Sequence, residues 1–422
     1  MAYRWYVLLV LTLVQLCHSM DRSIVSLVLQ PIGREFRLSD SQLGLLAGLA
    51  YGGAFACAVI PMGLAVDRWQ RRKLLATAVG LWSALTALCG LALSFPMLLA
   101  SRAGVGVVES AATPNSMSLL SDYFPPSQRT TAVGVWYMGG GLGTMAALLG
   151  GGYFAQHFGW RAGFLAAGLP GLALAILVWT SVVEPVRGGI DVKPALAAAG
   201  SLWARIRLIA SQPGLLHCMA AIVLVATTVS GLTAWLVTFL MRAHGLSIGQ
   251  SGMIVAFSVG LLSALGSSIS SILIDRLRPR GGRFSPSVSA CAAAVACVLT
   301  VLLAACAVLV ESTAACVAFL LATGLFLAAY NGPANGLFVT LAPVAVRGLS
   351  VSILQFWCNL VGMGVGPLIV GRISDGFAPG TGLRWGLLVI LIFNLWGAGL
   401  FLVLAGRMRW TGSLPLRNSV AR

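Results

Sequence analysis

The chain has 422 residues, of which 58% are hydrophobic, 50 are glycine and only 9% are charged. Soluble proteins carry roughly 25% charged residues, so this chain cannot cover a soluble fold, and it is too apolar for disorder. The net charge of +16 is the balance of 25 Arg and 2 Lys against 11 acidic residues, and all but two of the basic residues stand in short loops between apolar runs; that pattern excludes a nucleic-acid partner and describes a polytopic membrane protein.

Residues 1–19, MAYRWYVLLVLTLVQLCHS, look like a secretory signal, but the apolar run continues past Asp21-Arg22 into IVSLVL. An uncleaved first span fits better. A spanning helix needs about 20 mostly apolar residues. Twelve segments qualify: 5–29, 42–66, 74–94, 97–120, 131–154, 162–183, 215–240, 249–274, 288–310, 313–342, 349–373 and 385–405. Span 10 is interrupted at Asn331-Gly332-Pro333, which predicts a kink.

Residues 1–183 form an N-terminal six-helix bundle and 215–422 a C-terminal one with a short cytoplasmic tail. Between them, 184–214 reads as a cytoplasmic linker with a surface helix around 202–209. With the N-terminus inside, nineteen of the 27 basic residues are cytoplasmic and six are external. Arg22 and Arg102 account for the other two, inside spans. This asymmetry places both termini in the cytoplasm, in a cell (inner) membrane. The halves partly repeat: Asp67-Arg68 matches Asp275-Arg276 at an offset of 208, and Arg129 matches Arg347 at 218. Such duplications favour a transporter that rocks one half against the other around a midplane site.

No G-x-x-x-x-G-K-[ST] loop, H-E-x-x-H motif or sizeable soluble domain is present. An ATP-driven pump and the best-marked intramembrane protease are excluded, leaving an ion gradient or the substrate's own gradient as the energy source. The nine Cys all lie in apolar segments without C-x-x-C or zinc spacing and read as small buried hydrophobes. Neither a metal nor a cofactor is expected, and the chain is not read as an enzyme.

After span 2 comes Gly63-Leu-Ala-Val-Asp67-Arg68-Trp-Gln-Arg-Arg-Lys73. It resembles the G-x-L-A-D-R-x-G-R-[RK] loop of the major facilitator superfamily, with Gln70 and Ala65 departing from the pattern. The resemblance implies an all-α membrane fold of twelve helices in two six-helix bundles. A small Gly permits close helix approach, and an Asp-Arg pair at a helix end can exist in only one rocking state. Gly63, Asp67, Arg68, Asp122 and Arg129 are therefore candidates for a cytoplasmic gate. The plain alternative is a basic cluster that only anchors topology.

Span 4 places Arg102 and Glu109 seven residues apart on one face. At about 1.5 Å per residue, Asp21 in span 1 lies between their levels. These residues and Arg22 are the strongly charged groups well inside the spans, where charge is costly and faces a cavity or a partner. A structural ion-pair cluster, proton coupling and recognition of substrate charge all fit. His18 can titrate, although a packed histidine is the simpler reading.

Asp-Arg late in helix 1, SDSQLGLLAGLAY at helix 2, and R-x-G-V-G-x-x-E…P…D-Y-F-P-P-x-x-R along helix 4 are similar to the Spinster-type branch, mainly over 20–185. That branch is linked to export of lysolipids and phosphorylated sphingoid bases. The resemblance implies proton coupling at Asp21 and Glu109, with Arg22 and Arg102 as charge partners or substrate ligands. Asn115, Tyr137, Trp235, Asn331, Asn335, Gln355 and Asn359 are candidates to line a cavity, with interhelical hydrogen bonding the alternative. The glycine-rich stretches of span 5 read as helix-packing surfaces.

The function expected is a monomeric, proton-coupled rocker-switch transporter of an amphiphilic or anionic organic solute, such as a lysolipid or sphingoid-like lipid. Its partners are the substrate, protons and the bilayer. A small organic-acid or drug transporter of the same fold is the alternative, and an intramembrane enzyme or channel is the competing class. Reporter fusions at Gln70 and Gly200 are expected to read cytoplasmic, and those at Arg37 and His244 external. An external reading at Gly200 overturns the six-plus-six topology.

Overall fold

A computed structural model describes residues 2–186, 201–276, 286–343, 346–378 and 380–410. Residues 187–200 of the predicted linker and 411–422 of the predicted tail lie outside the described residues. Eleven helices are long and apolar enough to cross a membrane. Span 4 makes the twelfth as two shorter pieces, Phe95–Glu109 and Ala112–Tyr123. Helices also occupy the predicted surface segment, at Leu202–Ala210, and no strand occurs among the described residues.

The interruptions have local causes. Span 4 breaks at Ser110-Ala111, and Pro114 stands in the first turn of the piece that follows. Span 10 breaks between Leu327 and Asn331, with Pro333 in the corresponding turn. Each proline lacks the N–H that would bond four residues back, so the ladder restarts there. Sequence reading placed the span 10 break a few residues late and missed the one in span 4. The prolines are 219 residues apart, close to the 218 that relates Arg129 to Arg347. Spans 2 and 8 also start alike. Ser39 with Gln42, and Ser247 with Gln250, form capping boxes that satisfy the first free amides of each helix. They are 208 residues apart, the same offset as the Asp-Arg pairs.

The two six-helix halves touch mainly through spans 2 and 11, spans 5 and 8, and spans 1 and 7. At the end away from the termini one hydrophobic cluster joins them, with Ile24, Leu43 and Leu148 from one half and Trp235, Val255 and Val370 from the other. At the terminal end the core is divided. Val10, Trp82 and Trp136 belong to one cluster, Leu215, Phe338 and Phe401 to another. The halves share one core at the far end and keep separate cores at the terminal one.

Close backbone approach at the far end rests on small residues. A Cβ on Gly44, Gly48 or Gly52 of span 2 would collide with the span 11 backbone at Pro367, Gly364 or Asn359. Gly139 and Gly143 of span 5 sit in the same way on the Thr12 and Leu16 carbonyls of span 1. The span 5 glycines thus hold one half together, whereas the span 2 glycines seal one half to the other.

Gly48→Val is therefore expected to hold the far end open and slow transport at least about tenfold, because a packed interface is bistable rather than compressible. Maleimide labelling of a cysteine at Ser41, with exposed Cys57 and Cys306 replaced, checks this. Unchanged labelling would mean that span 11 yields without opening.

Candidate functional site

Four helices converge on a dry polar centre in the N-terminal half. Span 1 brings His18 and Asp21, span 2 Tyr51, span 3 Thr86, and span 4 Arg102 and Glu109; all are buried. Glu109 is the last residue before the span 4 break. Tyr51 donates its hydroxyl to Glu109 Oε2 at 2.5 Å, and His18 Nε2 lies 3.4 Å from the same oxygen. Arg102 donates to the backbone carbonyl of Asp21 at 3.2 Å, not to its carboxylate. The Arg22 and Arg102 guanidinium carbons lie 5.7 and 5.1 Å from the Tyr51 ring centroid.

Of the readings open in sequence, an ion-pair cluster is not what these side chains form: among the described residues no arginine nitrogen lies within 4.0 Å of the Asp21 or Glu109 carboxylate. Glu109 Oε1 and His18 Nδ1 are buried without a hydrogen-bond partner among the described residues, and the Asp21 carboxylate has the Thr86 hydroxyl beside it rather than a cation. An ionised carboxylate left this way loses its hydration without compensation. The centre is thus electrically unsettled rather than a closed structural salt bridge.

Arg22 points the other way, into a cavity of about 230 Å³ between the halves. Its one hydrogen bond there is from Nη2 to Met363 Sδ, 2.9 Å, and a thioether is a weak acceptor. Around it stand the hydroxyls of Ser19, Ser23, Ser26, Thr144, Ser230 and Thr233, with an apolar wall that includes Leu148, Val255 and Pro367. None of the seven residues expected to line a cavity lines this one. Trp235 is fully buried and donates Nε1–H to Pro367 O at 2.9 Å. Asn115 donates to the Arg71 carbonyl, and Asn335 and Asn359 bond within their own helices. Tyr137, Asn335 and Gln355 are exposed and Asn331 half-buried, outside the cavity. The hydroxyls gave no signal in sequence because serine and threonine are ordinary in membrane helices, where they satisfy themselves on the preceding turn.

The expected gate residues are at the terminal end. The Asp67 side chain lies outside the described residues, Arg68 is exposed, and an added Cβ on Gly63 would meet nothing within 4 Å. Asp122 pairs with Arg71, which also donates Nε–H to Glu184 Oε1 at 2.9 Å. Arg129 donates to the span 4 carbonyls of Ser121 and Phe124 at 2.6 and 3.0 Å. Sequence reading did not single out Arg71 and Glu184, which tie spans 3, 4 and 6 together.

It also passed over the far-end latch. Arg242 donates to both Asp40 oxygens at 2.7 and 2.8 Å and to Gln30 at 2.6 Å. Asp375, ending span 11, accepts the amides of Asp40 and Ser41 at 2.8 Å each and the Ser41 hydroxyl at 2.5 Å. It thereby caps the positive end of span 2 from the opposite half. Gln156, near the end of span 5, accepts the Gly249 amide at 3.0 Å and caps span 8 in the reverse direction.

The family model of the Major Facilitator Superfamily matches residues 11–367. An MFS-type efflux pump of Mycolicibacterium smegmatis is 29% identical over 411 residues, which is 96% of this chain and 93% of the other. A gallate transporter of Pseudomonas putida is 28% identical over 66% of this chain and 67% of its own length. Among solved structures, a bacterial homologue of the human lysosomal transporter Spinster, inward-facing and unoccupied, matches with a TM-score of 0.87. It is 27% identical and covers 98% of this chain and 99% of its own.

The latch geometry predicts that Asp375→Ala weakens far-end closure by about 1 kcal/mol, the net worth of a solvent-exposed hydrogen-bonded cap. Electron–electron distances between spin labels at Arg37 and Thr381 are expected to gain a longer, open population. A distribution identical to that of the unsubstituted protein counts against a latch.

Proposed function

This chain belongs to the Major Facilitator Superfamily, as a secondary transporter of Spinster-like type, and we propose that it couples proton flux to movement of an organic anion. The observation that carries this reading is Arg22: a half-buried cation whose one hydrogen bond is to a thioether, aimed into a hydroxyl-lined cavity between the halves. A guanidinium in a site of low dielectric recognises a carboxylate or phosphate through charge-assisted hydrogen bonds. The surrounding hydroxyls offer donors and acceptors to further oxygens of the cargo. A volume of about 230 Å³ suits a compact organic acid, and the relatives that support such cargo include the gallate transporter. A second reading, an anionic amphiphile of the lysolipid or sphingoid kind, is favoured by the apolar wall of the same cavity, along which a chain can lie.

Coupling is assigned to Asp21 and Glu109. Each is buried, with no arginine nitrogen at contact distance among the described residues. Rocking exchanges the dry surroundings for wet ones, and a carboxylate that gains or loses hydration gives up or takes up a proton. Arg22 lies on the same helix, next to Asp21, so an anion bound there alters the field at the proton sites. The charge asymmetry of the loops supports a cytoplasmic terminal end, which makes the end with separate cores the inward one. Residues 1–183 and 215–422 act as the two moving bundles of a monomer, joined by the linker.

Proteoliposomes with an imposed pH gradient, assayed with a panel of organic acids and lysolipids, test the proposal. Arg22→Gln is expected to weaken binding of anionic cargo at least about tenfold, given a charged hydrogen bond worth about 1.5–3 kcal/mol. Asp21→Asn and Glu109→Gln are expected to abolish gradient-driven accumulation while retaining counterflow. Loss of folded protein together with every transport mode favours a structural ion cluster instead. Accumulation with unchanged pH dependence removes these carboxylates from the coupling.

A further inference from the structure

His18 is left over by the mechanism just given, and its surroundings are not those of a packing residue. The ring is 3% exposed. Nε2 lies 3.4 Å from Glu109 Oε2 and 3.5 Å from the Tyr51 hydroxyl, and that hydroxyl donates to Glu109 Oε2 at 2.5 Å. Both contacts with Glu109 therefore fall on one oxygen, while Glu109 Oε1 and His18 Nδ1 have no partner among the described residues. A histidine buried for packing alone satisfies its nitrogens on carbonyls or hydroxyls. This one reaches a carboxylate as well as a hydroxyl.

We propose that His18 is a proton-carrying member of the transport site and shares one proton with Glu109 across the Tyr51 hydroxyl. The inference rests on the proton-coupled reading above and adds a second acceptor to it. In one form the proton is on Glu109 and His18 is neutral. In the other the carboxyl O–H bond has broken and an Nε2–H bond has formed, leaving carboxylate and imidazolium in contact. Net charge is unchanged by the transfer, so the proton can shift inside the dry centre without a lone charge being created there. The Tyr51 hydroxyl stabilises the second form by donating to the same carboxylate oxygen.

The charged and titratable groups around the pair come from every helix of the centre. They are Cys17, Asp21 and Arg22 on span 1, Tyr51 on span 2, Cys89 on span 3 and Arg102 on span 4. Moving the proton from oxygen to nitrogen shifts charge between Glu109 and His18 alone and leaves the total charge of the centre unchanged. A shared site also binds its proton more firmly than either group alone, and it titrates as a pair.

The chain has four histidines, so ¹⁵N-histidine NMR of the purified protein resolves the question, with His18→Asn assigning the resonance. We expect the His18 ring nitrogens to titrate together with Glu109 and the midpoint to move by about 1 unit in Glu109→Gln. In proteoliposomes, His18→Asn is expected to move the pH of half-maximal accumulation to more acid values, because one of two acceptors is gone. Should His18→Asn fold poorly, the comparison of unsubstituted protein with Glu109→Gln still decides. His18 shifts that are flat with pH, or identical in Glu109→Gln, overturn the proposal. Accumulation indifferent to the pH gradient, with His18 still titrating with Glu109, overturns the coupled-transport reading and leaves the shared proton standing.

Discussion

Apolar burial is common to both halves at one end of this molecule and separate at the other, and the remaining features depend on that division. The joint cluster around Leu43, Leu148, Trp235 and Val370 holds the far end shut. The Val10–Trp82 and Leu215–Phe338 clusters stay apart. Helices in lipid gain little from burial against one another compared with burial against acyl chains, so association depends on close packing and hydrogen bonds. Glycines 44, 48 and 52 supply the first, and the Asp375 and Gln156 caps supply the second. Opening the far end means exchanging these contacts for equivalent ones at the other end. That exchange is cheap only if both sets are of similar worth.

The polar centre is placed where the exchange acts on it. Glu109 ends the first piece of span 4, Asp21 shares its helix with Arg22, and Arg22 reaches the cavity between the halves. Neither carboxylate is neutralised by an arginine at contact distance. An ion pair there would have fixed the charge state and made it indifferent to hydration. Its absence is what leaves the centre responsive, and the cation–π contacts of both arginines with Tyr51 keep them close without binding them to the carboxylates.

Much of the architecture was legible in sequence. Twelve apolar runs, the basic bias of one set of loops and the 208- and 218-residue offsets carried the twelve spans and the six-plus-six repeat, because hydrocarbon tolerates almost no other pattern. The intramembrane charges were equally visible. Their contacts were not: an ion-pair cluster was one of three readings open for Asp21, Arg22, Arg102 and Glu109, and the contacts formed are with Tyr51, His18, Met363 and a backbone carbonyl. Spacing along a helix gives depth and face, but not which way a long side chain turns. Asp40, Arg242 and Asp375 were passed over for a related reason, since loop-end charges look alike until the fold brings them together across 335 residues. The cavity hydroxyls were invisible because nothing separates a Ser that lines a cavity from one bonded to its own helix.

Two segments of the C-terminal half, Ala256–Leu262 in span 8 and Cys358–Val365 in span 11, are wound as π-helix. Each is the local signature of one extra residue accommodated in an otherwise α-helical ladder. Such a turn can migrate along its helix, handing the surplus residue onward while almost every backbone group keeps a partner. The portion it passes advances by about 1.5 Å and turns by about 100°. In span 11 that portion, Gly366–Asp375, ends in the carboxylate that caps span 2. The winding of the span 11 turn therefore sets the angle at which the Asp375 cap meets span 2.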